Sequence, residues 1–276
     1  MNPRALAIWA ASSLTVALAT DNPVYRALVV LAAANVLTAL RRPQAGVATL
    51  LRALAVAALL AVGLTVLLSH GGAHAFAVLP AGLPIAGGRL TFEAVAFGAT
   101  SGLGIAAAAL AVAPLTQVIE AHDLLDALPQ ALSRSGAAVA TALNLIPGLA
   151  RSATEIREAQ RMRGSRPRRL RDWPDVAVPV VLTAVENSVA LAEAMEARGY
   201  GAGPRTHLRP VVWRRADVLV SAVSLSAAGC FVALRVTGLA ADWYPFPALS
   251  FPVVDAFAVV CCAALALPVM AWQRPR

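Results

Sequence analysis

Long apolar runs alternate along this chain with short polar segments in which arginine dominates. A helix that crosses the hydrocarbon core of a bilayer needs roughly 20 apolar residues. Six runs meet that requirement: 4–20, 24–40, 46–69, 93–113, 216–238 and 250–272. The last contains Pro252 and Asp255, so six spans are expected, with five as the lower count. Between the fourth and fifth runs lies a block, 114–215, with a different pattern. Its two apolar stretches, "GAAVATALNLIPGLA" and "DVAVPVVLTAVENSVALA", each hold a proline and polar residues and pass without a breaker into a charged segment. Amphipathic helices at the membrane surface fit this pattern better than free spans.

Two long helices are therefore predicted in the block. One runs from Ala137 to Arg163, carries Pro147 as a kink, and stops at Gly164-Ser165; the other runs from Pro174 to Arg198 and stops at Gly199. A short amphipathic helix, His122 to Leu132, precedes both. On the second long helix Leu182, Val185, Val189 and Ala192 form one apolar stripe, and Ala184, Ser188, Leu191 and Met195 a neighbouring one, interrupted by Glu186, Glu193 and Glu196. The expected fold class is all-α: a polytopic membrane protein of six transmembrane helices with a helical cytoplasmic coupling region. Its parts are four spans in 1–113, the coupling helices in 114–215 and two spans in 216–276.

Small residues in "FGATSGLGI", 97–105, predict a close helix-packing face on the fourth span. The loop 70–92 is rich in Gly and Pro, which break helices and strands alike. His70 and His74 lie within it, but Gly71 and Gly72 separate them and no carboxylate or Cys accompanies them in sequence, so no metal site is expected.

Composition sharpens the membrane reading: 59% of residues are hydrophobic and only 14% charged, where soluble domains carry about a quarter. All 23 basic residues are arginine. A chain without lysine has neither the P-loop lysine nor an amine for Schiff-base chemistry. Fourteen of the arginines fall in 114–215, beside ten acidic residues, and Arg41, Arg42, Arg274 and Arg276 lie in other polar ends on the same side. With both termini cytoplasmic, the positive-inside rule is satisfied. That distribution also accounts for the net charge of +8 without nucleic acid as a partner. Cys230, Cys261 and Cys262 sit in apolar runs and read as small hydrophobes. Trp9 breaks a simple signal-peptide core, so the first run reads as a retained span.

The candidate functional residues are the two helix endings "EIREAQRMRG" and "LAEAMEARGYG", 35 positions apart by their arginines, Arg163 and Arg198. Taken singly, Arg in a last turn followed by Gly is an ordinary helix stop. Their joint occurrence on two helices of one cytoplasmic block, joined by the basic connector "SRPRRLRDWP", suits a paired function beside anionic headgroups. At these residues the chain resembles the transmembrane T component of energy-coupling factor (ECF) transporters, the CbiQ/EcfT family. That family carries an X-Arg-X motif at the end of each of two coupling helices. Here the motifs read Met162-Arg163-Gly164 and Ala197-Arg198-Gly199, with Met162 standing where Ala is common.

The resemblance implies a subunit without catalytic residues, cofactor or metal. Its partners would be two P-loop ATPase subunits, each taking one arginine, and a membrane-embedded substrate-binding S component contacted through Val185, Val189, Leu191 and Met195, all in the lipid bilayer of the cell membrane. Glycine behind each arginine would remove bulk and let the helix tip approach the ATPase surface. ATP hydrolysis would then belong to the partners, and the cargo, a vitamin or a transition metal such as cobalt or nickel, to the S component. Three rivals stand beside it. A membrane enzyme lacks a constellation: His70, His74, His122 and His207 fall in no motif, and Glu186 and Glu193 read as polar helix positions. A self-contained transporter needs ionisable groups within its spans, and only Arg52, Arg235 and Asp255 qualify, each near a span end. An ordinary ABC permease domain offers one coupling helix where this chain offers two similar endings.

Overall fold

The computed structural model describes residues 2–39, 46–69, 71–78, 88–118, 133–164, 173–200 and 212–268. The helix expected at His122 to Leu132, the connector 165–172, His70 and the arginines after 268 lie outside the described residues. The chain divides into two compact units, Met1–Glu120 with Val212–Arg276, and Ala121–Val211. In the first unit α1 spans Pro3–Leu18, α2 Pro23–Ala39, α3 Gly46–Leu68 and α4 Phe92–Val118. Its later helices, numbered in chain order, are α7 over Arg215–Val236 and α8 over Ala256–Ala264. In the second unit α5 spans Ser133–Met162 and α6 Pro174–Ala197.

α4 is the centre of the first unit and packs against α1, α2 and α3, while α7 packs on α1 and α8 on α2 and α7. Glycines set how closely this happens. A Cβ on Gly98 would stand 2.7 Å from the Val62 Cα, and one on Gly102 2.9 Å from the Ala58 Cα. The "FGATSGLGI" segment is thus a packing face that admits the backbone of α3, as lipid-embedded helices require when no hydrophobic force draws them together. Gly104 makes room for a side chain instead. The Arg26 guanidinium lies where its Cβ would point, donates to the Thr100 carbonyl at 2.9 Å and pairs with Asp21 at 2.6 Å.

α1 is part of this core and not a peripheral segment. Trp9 is fully buried beside Leu6, Ala33, Val36 and Leu110, and its indole N–H donates to the Leu265 carbonyl at 2.9 Å. Helix starts follow local chemistry: Asn2 accepts from the Arg4 amide, Asn22 from the Val24 amide ahead of Pro23, and Asp255 from the Ala258 amide. Arg235, in the last turn of α7, donates to the Ala19 carbonyl and pairs with Asp242. Arg235 and Asp255 therefore occupy helix ends, as expected, and Arg52 is exposed on α3.

Two expectations need correction. The loop 70–92 is not wholly irregular: Ala75–Val78 (β1) and Arg89–Thr91 (β2) form a small antiparallel hairpin, with Ala75 opposite Thr91 and Val78 opposite Arg89. Both strands are free of Gly and Pro, which crowd the stretch between them. The final span expected at 250–272 starts later than expected: 250–255, which include Pro252, run without helix, Asp255 caps α8, and after turns at 265–267 helix resumes at Pro268, the last described residue. Among the described residues the helices long and apolar enough to cross a membrane are α3, α4, α6 and α7. α6 belongs to that set because only Asp175 and Glu186 are charged in its first 19 residues. α1 and α2, with 16 and 17 residues, reach about 24 and 26 Å at 1.5 Å per residue, slightly less than the core of a bilayer.

Replacing Gly102 by Val should force α3 and α4 apart at a cost of about 1–3 kcal/mol, seen as a lower Tm of the detergent-solubilised protein. Gly63→Val, where a Cβ meets nothing within 4 Å, should leave Tm nearly unchanged.

Candidate functional site

α5 continues through Pro147, and its half-buried positions, among them Ile156, Ala159 and Gln160, recur at helical spacing along one side. α6 packs against α5. It starts at Pro174, whose missing N–H costs nothing in a first turn. Pro179 is different: a helix would use its N–H to bond the Asp175 carbonyl, and proline has none. That carbonyl accepts instead from the Gln160 side-chain amide of α5 at 3.3 Å. The defect left by one helix is thus a tether to the other.

Both helices end in the same way. On α5 the Arg163 amide donates to Ala159 and the Gly164 amide to Arg161, with Gly164 at φ +83°. On α6 Arg198 is the C-cap residue. The Gly199 amide then donates to the Glu196 carbonyl at 2.8 Å and the Tyr200 amide to Met195 at 2.9 Å, with Gly199 at φ +73°. This is the double-bonded glycine termination known as a Schellman motif. Glycine at these two positions is required by the left-handed backbone, which an L side chain enters only at a cost. Crowding within the chain is not what calls for glycine at 164: a Cβ there would meet nothing within 4 Å.

Met162, Arg163, Gly164, Ala197, Arg198 and Gly199 are all exposed, Met162 at 85%. Arg163 stands three residues beyond Gln160, and Gln160 holds the start of α6, so the first tip lies beside the beginning of α6 and the second at its end. Twenty-four residues of α6 at 1.5 Å each separate the two tips by about 36 Å.

The remaining candidates divide. Val185 and Val189 line an open groove of about 380 Å³ along α6 with Val181, Ala184, Ser188 and Ala192. Leu191 and Met195, half-buried, are not part of it. No residue of α6 is buried, so this apolar surface has no covering among the described residues of its own unit. Sequence reasoning missed Val181, which extends the stripe by one turn, and the Gln160 tether, whose signal was the proline four positions after Asp175.

Sequence reasoning also missed Glu93. It opens α4 fully buried, and its carboxylate accepts from the His74 amide at 3.1 Å and contacts His74 Nδ1 at 2.8 Å, which fastens the hairpin to α4. Gly72, at φ +135°, lies over the same carboxylate, where a Cβ would come within 2.7 Å of Oε2. Among the described residues no group of three or more His, Cys, Asp or Glu is placed to hold a metal ion.

A family model, CbiQ, described as cobalt transport protein, matches residues 1–208. The chain belongs to this family. The match takes in α1 to α6 and both Arg-Gly endings and stops before α7. CbiQ is a family of transport proteins and not of enzymes, and its membership together with the long apolar helices makes the chain a membrane transport protein. No curated protein matches the chain.

Gly199→Val should destabilise the end of α6 by about 1–2 kcal/mol, the cost of a left-handed L residue. Hydrogen exchange of the Gly199 and Tyr200 amides should accelerate accordingly, while Gly199→Asn, which tolerates this backbone, should accelerate it less.

Proposed function

We propose that the chain is the transmembrane T component of an ECF-type importer, a scaffold with no chemistry of its own. The observation that carries this reading is the pair of exposed arginine tips, terminated alike and held about 36 Å apart by the 24-residue α6. An arginine at a helix tip presents a planar, permanently charged donor fork to carboxylates and carbonyls. Two such tips suit two grooves on a pair of ATPase subunits, and grooves that move during ATP binding and hydrolysis carry the helices with them. The apolar surface of α6 around Val185 and Val189, with Leu191 and Met195 farther along, is the face assigned to a membrane-embedded substrate-binding component.

In this reading 114–215 is the cytoplasmic coupling region, both termini are cytoplasmic, and the protein resides in the cell membrane. α6 is apolar enough to enter lipid along much of its length, which suits a coupling helix lying in the membrane surface. Cobalt is the cargo that the family description names. Its capture falls to the substrate-binding component, so no residue of this chain need touch it. The ordinary ABC permease and self-contained transporter readings account for one tip or for none.

Arg163→Ala combined with Arg198→Ala should abolish co-purification of the ATPases and ATP-driven uptake, while the protein reaches the membrane in normal amount. Undiminished co-purification with normal uptake would remove the coupling reading. Arg→Lys at either position should cause partial loss, because charge survives and the fork does not.

A further inference from the structure

Residues 244–254, "YPFPALSFPVV", contain no charge and are not helical, yet they are among the most apolar exposed stretches of the molecule. Phe251 is 96% exposed and Val253 70%. The exposed apolar surface does not begin with them. Exposed apolar side chains flank them in the chain on both sides: Val236, which ends α7, and Leu239 before them, and Phe257 and Val260 of α8 after them.

Hydrogen bonds fix the level of this segment along the helix axes. Asn22, in the turn between α1 and α2, donates to the Val253 carbonyl at 2.9 Å, and the Asp255 amide donates to the hydroxyl of Tyr25, in the first turn of α2, at 2.8 Å. Trp243 donates to the Ser250 carbonyl at 2.6 Å. The segment therefore runs beside the α1–α2 turn, where Asp21 pairs with Arg26 and Arg235 with Asp242. Charged pairs at helix ends place that level in the polar headgroup zone. Open backbone is not sustained in the hydrocarbon core, and aromatic side chains concentrate where headgroups meet acyl chains.

We infer that 249–254 is an interfacial anchor, with Phe251 and Val253 inserted at the headgroup–acyl boundary of the leaflet on the side of the Asp21 turn. The occupant is lipid, because the segment links α7 to α8, helices of the membrane unit whose own apolar side chains Val236, Phe257 and Val260 are exposed as well. The inference is independent of the two arginine tips.

The test is Phe251→Trp in the full chain reconstituted in phosphatidylcholine vesicles, with the added emission taken as the difference from the wild type. Bromine carried high on the acyl chains should quench it more strongly than bromine near the chain ends. Leu59→Trp, on an exposed position near the middle of α3, should show the reverse order. Quenching of the emission added by Phe251→Trp by aqueous iodide, with no effect of bromine, would overturn the inference in favour of a water-exposed loop. Insensitivity to both quenchers would overturn it in favour of a covering protein surface.

Discussion

Backbone amides and carbonyls that leave a helix near lipid have no water to turn to, and each one left open costs free energy on the scale of a lost hydrogen bond. Much of the first unit is arranged around that constraint. Its helix α8 has nine residues between irregular stretches, and the carbonyls and amide around it are met by Trp9, Asn22, Tyr25 and Trp243. Three of these four side chains come from α1, α2 or the turn between them. The first two helices are therefore fixed in place by the last segment of the described chain, and the core containing Tyr25, Phe231 and Cys262 closes where those parts meet.

The same constraint operates in the second unit with a different remedy. Proline at 179 opens a carbonyl on α6, and Gln160 on α5 closes it. A hydrogen bond of this kind contributes only about 0.5–1.5 kcal/mol, but its direction matters more than its strength. It ties a position near the arginine tip of one helix to the first turn of the next, so the end of α5 cannot slide along α6 without losing it.

Period and punctuation made much of this legible in sequence. The Arg-Gly endings and Pro174 located the far end of α5 and both ends of α6 to within a residue, because glycine and proline act on the local backbone and need no tertiary partner, while α5 starts at Ser133, four residues before the expected Ala137. The small residues of 97–105 announced the packing face for a similar reason. Long-range pairings were not legible: nothing local to Glu93 names His74 as its partner, and nothing local to Asn22 names Val253, 231 residues away. The hairpin was hidden because short breaker-free strands flank a Gly/Pro-rich stretch that dominates any window. The start of the last span was placed too early because hydropathy counts Phe251, Val253 and Val254 as apolar whether or not their backbone is helical. As for the candidate site, Val185 and Val189 were legible from the stripe, while Leu191 and Met195 belong to a neighbouring side of the same helix.

The arginine tips invite attention to side chains, yet the quantity that relates them is a count. α6 behaves as a caliper whose gauge is the number of residues between Pro174 and Ala197, and no substitution on its surface alters that gauge. A single inserted residue would lengthen it by only about 1.5 Å but turn Arg198 through about 100° about the helix axis. Length along this helix is therefore a weakly held variable and azimuth a strict one. In the proposed coupling role, α6 can change its number of residues only in steps that return the second arginine to the same face.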